Sequence, residues 1–343
     1  ILMRLLHSPL SRIAVLAALI GATGWFAGHR VLDSASAIDA ATLRAHAPAL
    51  ALACAALSFA TLLLAAAWIV LLDDVSPRRG GRVALVVAFA YAWLVRYVPG
   101  TVPFFAGKVY LGQRAGRPAR QVVLATGVQN LIEVLAGAIV GATCIALALG
   151  VTFGGGAYVA LAAVPSAALV ALHPSILRRL ADRGLRAVGR DPLPDGALPS
   201  VRAIATAALL TATNQILNGA AMLIVLTTVT DAGPRDLLLA TGALSLAGVA
   251  GILVVLAPAG LGVREGALTG LLATRFAVDA AALASVLVRA VMIVSDLALV
   301  LLALVIDVAS GAGVIASVFR RERPRAVEPR SVPAAVVPQR RSA

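Results

Sequence analysis

The chain has 343 residues, 60% of them hydrophobic, with a mean hydropathy of +0.95 and only 13% charged side chains, far from the balance of a soluble domain. Its net charge of +13 comes from 29 basic and 16 acidic residues, and every basic residue except Lys108 is arginine. Helix-length apolar runs exclude an outer-membrane barrel and a disulfide scaffold, and the lack of aromatics among the basic residues excludes a nucleic-acid binder.

The composition is that of an integral membrane protein, with apolar runs near 13–32, 48–72, 83–98, 119–149, 157–176, 202–230, 236–257, 261–277 and 281–306. The first run is longer than the usual apolar core of a signal peptide, so it reads as a retained helix. Arg4 and Arg12 place the N-terminus in the cytoplasm by the positive-inside rule. Arg30 and Arg44 balance Asp33 and Asp39 outside, and Arg78, Arg79 and Arg82 bring the chain back.

A full crossing by 83–98 would leave Lys108, Arg114, Arg117 and Arg120 on the wrong side. Val98-Pro99-Gly100-Thr101-Val102-Pro103 cannot continue a helix. It predicts a re-entrant hairpin of 83–98 and about 104–112 that returns these residues to the cytoplasm. Irregular backbone at that depth survives only inside protein or beside a water-filled cavity, which makes the break a candidate site.

The run 119–149 then goes outward and 157–176 returns. The link 177–201 carries Arg178, Arg179, Arg183, Arg186 and Arg190 and is cytoplasmic. The run 202–230 goes outward again. A cytoplasmic tail requires 236–277 to be a second re-entrant pair, entered from outside and broken at Pro258-Ala259-Gly260-Leu261-Gly262. The final helix 281–306 then runs inward. The predicted fold is therefore an all-α polytopic membrane helix bundle, with six full spans plus two re-entrant broken hairpins in an inverted repeat. Its halves lie at about 10–150 and 157–310 within a membrane domain of 1–319. Residues 320–343, with seven arginines against two glutamates, read as a disordered, Arg/Pro-rich cytoplasmic tail.

Charges at membrane depth are costly, about 2.5–3.5 kcal/mol each on insertion scales, and each calls for a reason. The candidates are Arg96, Lys108, Gln129, Asn130, Glu133, Asn214, Gln215, Asn218, Arg264, Glu265, Arg289 and Asp296. Gln129, Asn130 and Glu133 share a helix face, and Arg289 and Asp296 sit two turns apart on another. Asn214, Gln215 and Asn218 are expected to fasten the bundle. Arg264, beside a broken helix, points to function, with Glu265 as an adjacent counter-charge. Arg289 with Asp296, and Glu133, suit a buried ion pair or a gate. Arg96 and Lys108 flank the first break and are able to snorkel to the interface.

Basic groups beside exposed helix ends and glycine backbone suit an anionic group such as a lipid phosphate. Cys54 and Cys144 read as small buried hydrophobes, and the four histidines are scattered, so no metal or other cofactor is expected. There is no HExxH, no GxSxG and no P-loop spacing, so no catalytic residues are assigned and the chain reads as a non-enzyme. The GxxxG pairs Gly24/Gly28, Gly137/Gly141, Gly262/Gly266 and Gly266/Gly270 indicate close helix packing, with a homodimer left open.

Two segments carry a resemblance. Arg96-Tyr97-Val98-Pro99-Gly100 followed by Gly107-Lys108-Val109-Tyr110-Leu111, and Pro258-Ala259-Gly260-Leu261-Gly262-Val263-Arg264-Glu265-Gly266-Ala267-Leu268, resemble the two signature segments of the lysylphosphatidylglycerol synthase transmembrane, or flippase-like, family. That family includes the membrane half of bacterial multiple-peptide-resistance factors, which moves aminoacylated phosphatidylglycerol between leaflets. The resemblance covers about residues 10–310. It implies substrate-binding roles for Tyr97, Pro99, Gly100, Pro258, Gly260, Gly262, Arg264, Glu265 and Arg289, to which Lys108, Glu133 and Asp296 are added from their depth. Where the family reads "ER-x-x-D", this chain has Gln129-Asn130-Leu131-Ile132-Glu133. The acidic position is kept as Glu133 and the charged pair before it is neutral. The synthase domain of the full-length enzymes is missing from the resemblance.

The expected function is a flippase in the bacterial cytoplasmic (inner) membrane, with both termini cytoplasmic. Its cargo is an anionic or aminoacylated phospholipid or a polyprenyl-phosphate-linked lipid. The rival reading is a non-transporting membrane partner of a separate glycosyltransferase or lipid synthase, recruited through the 177–201 link and the tail.

Overall fold

The computed structural model describes residues 44–76, 81–97, 101–150, 172–187, 191–194, 196–253 and 262–311, with 189, 313 and 314. The predicted helix at 13–32, the tail, Gly24/Gly28 and most of the 157–176 run lie outside the described residues. Within them the chain is all-helical.

The helices are α1 (Ala47–Val75), α2 (Arg82–Leu94), α3 (Thr101–Arg114), α4 (Ala119–Ala148), α5 (Pro174–Ala187), α6 (Val201–Leu226), α7 (Leu237–Leu253), α8 (Val263–Leu272) and α9 (Val278–Ser310). Short 3-10 turns at Val95–Tyr97 and Pro234–Asp236 extend α2 and precede α7. Five segments are long and apolar enough to cross a membrane: α1, α4, α6, Pro234–Ile252 and α9. Four of them match predicted full spans. The fifth was expected only as one limb of a hairpin, and its length makes that hairpin uneven.

The remaining apolar helices are too short. With 13, 14 and 10 residues, α2, α3 and α8 extend about 20, 21 and 15 Å at 1.5 Å per residue, against a hydrocarbon core of about 30 Å. Polar locks fix where these short elements begin and end. Asp73, near the end of α1, accepts from Arg82 at the start of α2 (3.2 Å) and from Arg117 just after α3. The chain thus leaves this end of the bundle in α2 and comes back to the same carboxylate in α3. Asp74 receives the backbone N–H and hydroxyl of Ser200 (2.6 and 3.0 Å), bringing the start of α6 to this end. A second carboxylate, Asp236 before α7, is 3.5 Å from Arg275 just past α8. The α7–α8 pair also departs and returns at one place, at the other end of α6.

Two large apolar cores hold the bundle, with a small third cluster of Ala90, Leu299 and Ala303 between α2 and α9. One gathers the second half of α1 with α2, α3 and α4 around Trp68, Phe89 and Trp93. The other gathers the first half of α1 with α6, α7, α8 and α9 around Met222, Leu244, Leu272 and Val288. Both α1 and α6 thread the two cores, α6 through Ala203, Ile204 and Ala207 in the first and Met222 and Val225 in the second. Glycines let the second group approach closely. A Cβ on Gly219 would lie 1.9 Å from Thr241 Oγ1, and one on Gly141 2.8 Å from the Leu246 side chain. The Gly137/Gly141 pair thus packs against α7 as expected. Gly262, Gly266 and Gly270 do not: among the described residues a Cβ on any of them meets nothing within 4 Å. Their packing was read from spacing alone, and α8 turns that stripe away from the bundle.

The 177–201 link, expected as a loop, contains α5, whose arginines segregate from Ile176, Leu177 and Leu180. Arg178 and Asp182 clamp it to the backbone of Leu193, at 3.2 and 2.8 Å. Cys54 and Cys144 are free thiols.

Candidate functional site

Between the short helices and α9 lies a cavity of about 360 Å³. Its apolar wall comes from Leu57, Leu64, Trp93, Phe104, Phe105, Leu244 and Val249. Its polar wall collects Arg96, Asn130, Glu133, Asn214, Gln215, Asn218, Arg264, Arg289, Ser295 and Asp296. A cavity of this kind, mostly apolar with a few convergent polar groups, is what a ligand site needs. Nearly every intramembrane polar residue singled out in the sequence faces the same space, although they come from α4, α6, α8, α9 and the turn after α2.

The charges sort into three situations. Asp296, on α9, is saturated by the turn after α2. It accepts from Trp93 Nε1 at 3.0 Å, from Arg96 Nη2 at 2.5 Å and from the Tyr97 hydroxyl at 2.5 Å. The Arg96 guanidinium also stacks over the Trp93 ring, 4.4 Å from its centre. Arg289, two turns earlier on α9, pairs instead with Glu265 of α8 at 3.9 Å, and lies 5.7 Å from the Tyr97 ring centre. The two groups expected to be candidates for one pair, Arg289 and Asp296, therefore each hold a different short helix. Glu265 forms no direct ion pair with its neighbour Arg264 among the described residues, although its charge reaches it. Its carboxylate turns back to cap α8, accepting from the Gly262 N–H at 2.7 Å, which satisfies a donor the first helical turn leaves open.

The third situation is that of Arg264 and Glu133. The Arg264 guanidinium donates to the Met292 sulfur at 3.2 Å and forms no ion pair among the described residues. A thioether is a weak acceptor, so four of the five guanidinium donors stay available to the cavity. Glu133, from α4, lines the same cavity, and among the described residues its carboxylate takes part in no hydrogen bond or ion pair.

Lys108 does not snorkel. It is 1% exposed, enclosed by Phe89 and Phe104 (4.6 and 4.9 Å from the ring centres), with Trp68 at 6.0 Å. Its ammonium donates to Gln129 Oε1 at 2.8 Å, and Gln129 in turn donates to the Leu64 carbonyl. This holds α3, α4 and α1 together behind the cavity wall rather than in it. Arg96 does not snorkel either, because α2 carries it into the protein, onto α9. Asn214 and Asn218 behave as fasteners: Asn214 donates to the Ala60 carbonyl at 2.8 Å and accepts from Asn218 at 3.1 Å. Gln215 accepts from Ser245 at 3.4 Å. All three also line the cavity.

Of the predicted substrate-binding residues, Glu133, Arg264, Arg289 and Asp296 line the cavity. Tyr97 and Glu265 act on its charged groups from beside it, Gly262 is the N-cap of α8 with a positive φ of 84°, and Lys108 stands behind it. Pro99, Gly100, Pro258 and Gly260 lie outside the described residues. Trp93 and Met292 were missed. Trp93 sits three residues before Arg96 at the helix end, which is a readable signal. Met292 has none, since a thioether on an apolar helix reads as core. Among the described residues no cluster of three His, Cys, Asp or Glu stands ready for a metal ion.

The model of the lysylphosphatidylglycerol synthase TM region matches residues 10–299. Comparison with curated proteins returns no match. The matched span takes in both motif segments and every polar group that lines the cavity. With that span covering most of its length, the chain belongs to the lysylphosphatidylglycerol synthase transmembrane-region family.

Proposed function

We propose that this multi-pass membrane protein is a lipid translocase of the bacterial cytoplasmic membrane, a transporter and not an enzyme. An anionic headgroup, from an ordinary or aminoacylated phospholipid or a polyprenyl-phosphate-linked lipid, enters the cavity and is held by Arg264. The observation that carries this reading is the state of the three cavity arginines. Arg96 and Arg289 have carboxylate partners, whereas Arg264 offers its planar donors to open space beside the start of α8. A buried cation with no carboxylate in direct contact is costly, and a phosphate oxygen pair matches its geometry. The positive end of the α8 dipole adds to the attraction.

The topology that suits this activity is the predicted inverted one. Asp73 and Asp236 hold the mouths of the α2–α3 and α7–α8 hairpins at opposite ends of α6. The described residues on either side of each break, Arg96 and Phe104 in one and Ile252 and Arg264 in the other, line the cavity. The end bearing Arg82, Arg114, Arg117, Arg120 and α5 is cytoplasmic by its arginine excess, and both termini belong there. Six spans follow when 13–32 and 157–176 are counted with α1, α4, α6 and α9. Rocking of one half against the other exposes the headgroup alternately.

The test is headgroup translocation by the purified protein in liposomes, across phosphatidylglycerol, lysyl-phosphatidylglycerol and a polyprenyl-phosphate sugar. The wild type moves one class, and Arg264→Ala lowers the rate at least tenfold without loss of fold. An unchanged rate in Arg264→Ala sinks the assignment. Folded wild-type protein that moves none of the three leaves the field to the partner reading, whose supporting feature is the set of exposed arginines on α5.

A further inference from the structure

We propose that Glu133 is a proton-binding site coupled to headgroup movement, so that the translocase runs on a proton gradient. The inference rests on the transport reading above, and goes beyond it by naming a coupling ion and the residue that carries it.

The three carboxylates beside the cavity differ in what a proton would cost them. Protonating Asp296 would disrupt three donor contacts that fix the turn after α2 to α9. Protonating Glu265 would weaken the cap of α8 and the contact to Arg289. Protonating Glu133 breaks nothing among the described residues, because its oxygens hold no donor. It is also open to the cavity, so a proton has a wet path to it.

The groups that face Glu133 are few. From α3 comes Lys108, bound to Gln129 one turn earlier on α4. α6 contributes the amides of Asn214, Gln215 and Asn218, and neither α7 nor the adjoining stretch of α1 contributes a charge. Across the cavity stand Arg96, Arg264, Arg289 and Asp296. The charges of Lys108, Arg96 and Arg264 all reach Glu133, and of these only Lys108 and Arg264 have no carboxylate in direct contact, since Arg96 is held by Asp296.

This sets up the linkage. In the empty site the Arg264 charge partly offsets the Glu133 carboxylate. A phosphate that docks on Arg264 withdraws that offset and places a second anion in the cavity. The carboxylate then takes a proton from the cavity water and becomes a neutral carboxyl. By reciprocity a proton on Glu133 strengthens anion binding to the same degree. After the halves rock, the headgroup leaves and the proton is released to water on the other side. Headgroup and proton thus travel together.

The experiment uses the full chain in liposomes with fluorescently tagged phosphatidylglycerol or tagged polyprenyl phosphate, run separately, and a pH dye in the lumen. An imposed pH gradient is expected to speed wild-type movement of one lipid severalfold over symmetric pH, with proton entry in step. In Glu133→Gln any remaining movement is indifferent to the gradient and carries no protons. A wild-type rate that ignores the gradient, or a Glu133→Gln protein that still responds to it, overturns the proposal. A second measurement stands apart from transport. In infrared difference spectra of the purified protein, adding either lipid yields a carboxyl C=O band that Glu133→Gln lacks. That band in a wild type that moves no lipid keeps the proton site and removes the transport reading. No band in the wild type with either lipid overturns the proton site, whatever the transport result.

Discussion

The Asp296 junction allows a prediction with a worked magnitude. One carboxylate, only 3% exposed, receives Arg96, Tyr97 and Trp93. Asp296→Ala leaves the Arg96 guanidinium at membrane depth with no counter-charge, and losing one partner of a buried pair costs about 3–5 kcal/mol. Trp93 Nε1 and the Tyr97 hydroxyl lose their acceptor too, adding about 1 kcal/mol each where cavity water replaces part of it. The expected total is about 5–7 kcal/mol. Glu265→Gln is the control. Its pair with Arg289 is longer, at 3.9 Å, and both side chains are partly exposed, so about 0–1 kcal/mol is at stake. The double change Arg96→Met with Asp296→Leu removes both charges and regains most of the loss. The assay is reversible unfolding in mixed micelles, read by tryptophan fluorescence, for which Trp93 is a reporter at the junction itself. An Asp296→Ala protein within about 1 kcal/mol of wild type would refute the view that this contact holds α9 to the first hairpin.

Two further expectations are testable on the same footing. Gly219→Ala drives a methyl into the Thr241 backbone, whose Cα stands 2.6 Å from the new Cβ, and overpacking of this kind costs about 1–3 kcal/mol. Gly266→Ala meets open space and gains up to about 1 kcal/mol of helix propensity; thermal melts in detergent that fail to separate the two would contradict the close α6–α7 contact. Lys108→Met, which keeps the volume inside the aromatic box, is expected to lie within about 1.5 kcal/mol of wild type. Lys108→Ala opens a cavity costing about 2–5 kcal/mol, so equal unfolding midpoints for the two variants would mean that the box does not close around the side chain.

Helix positions were readable in the sequence because a bilayer reads composition over helix lengths. The runs at 48–72, 119–149, 202–230 and 281–306 became α1, α4, α6 and α9 with ends shifted by a few residues. Shorter elements depended on different signals. The prolines and glycine near residue 100 announced the break between α2 and α3, two helices each too short to cross a membrane. The ion pairs from Asp73 to Arg82 and Arg117 show how α3 is brought back to the end of the bundle from which α2 departs. The helix α5 at the start of the 177–201 link was obscured because an amphipathic helix of this kind is too polar on average to register as an apolar run. The glycine spacing of α8 was misleading for a physical reason. A GxxxG pattern says that a helix surface is smooth, and only the neighbours decide whether another helix uses it.

The same distinction governs the site. Depth and residue type located nearly all of its polar members, since an intramembrane charge without a reason is selected against by its own energy. Partner assignment required the third dimension. Arg264 and Glu265 are adjacent in sequence, and that adjacency suggested a pair. Neighbouring residues on a helix point about 100° apart, so the carboxylate went to the helix cap and to Arg289 while the guanidinium went to the cavity. Arg289 and Asp296 share a face and so cannot easily satisfy one another across two turns. Each reaches sideways to the tip of a different short helix instead. Two opposite charges on one long helix thereby hold α8 and the turn after α2, and their satisfaction is what leaves Arg264 and Glu133 as the cavity charges without a direct ion pair among the described residues. Work at this site therefore falls to these two residues, because every other charge beside the cavity already has a structural bond to lose.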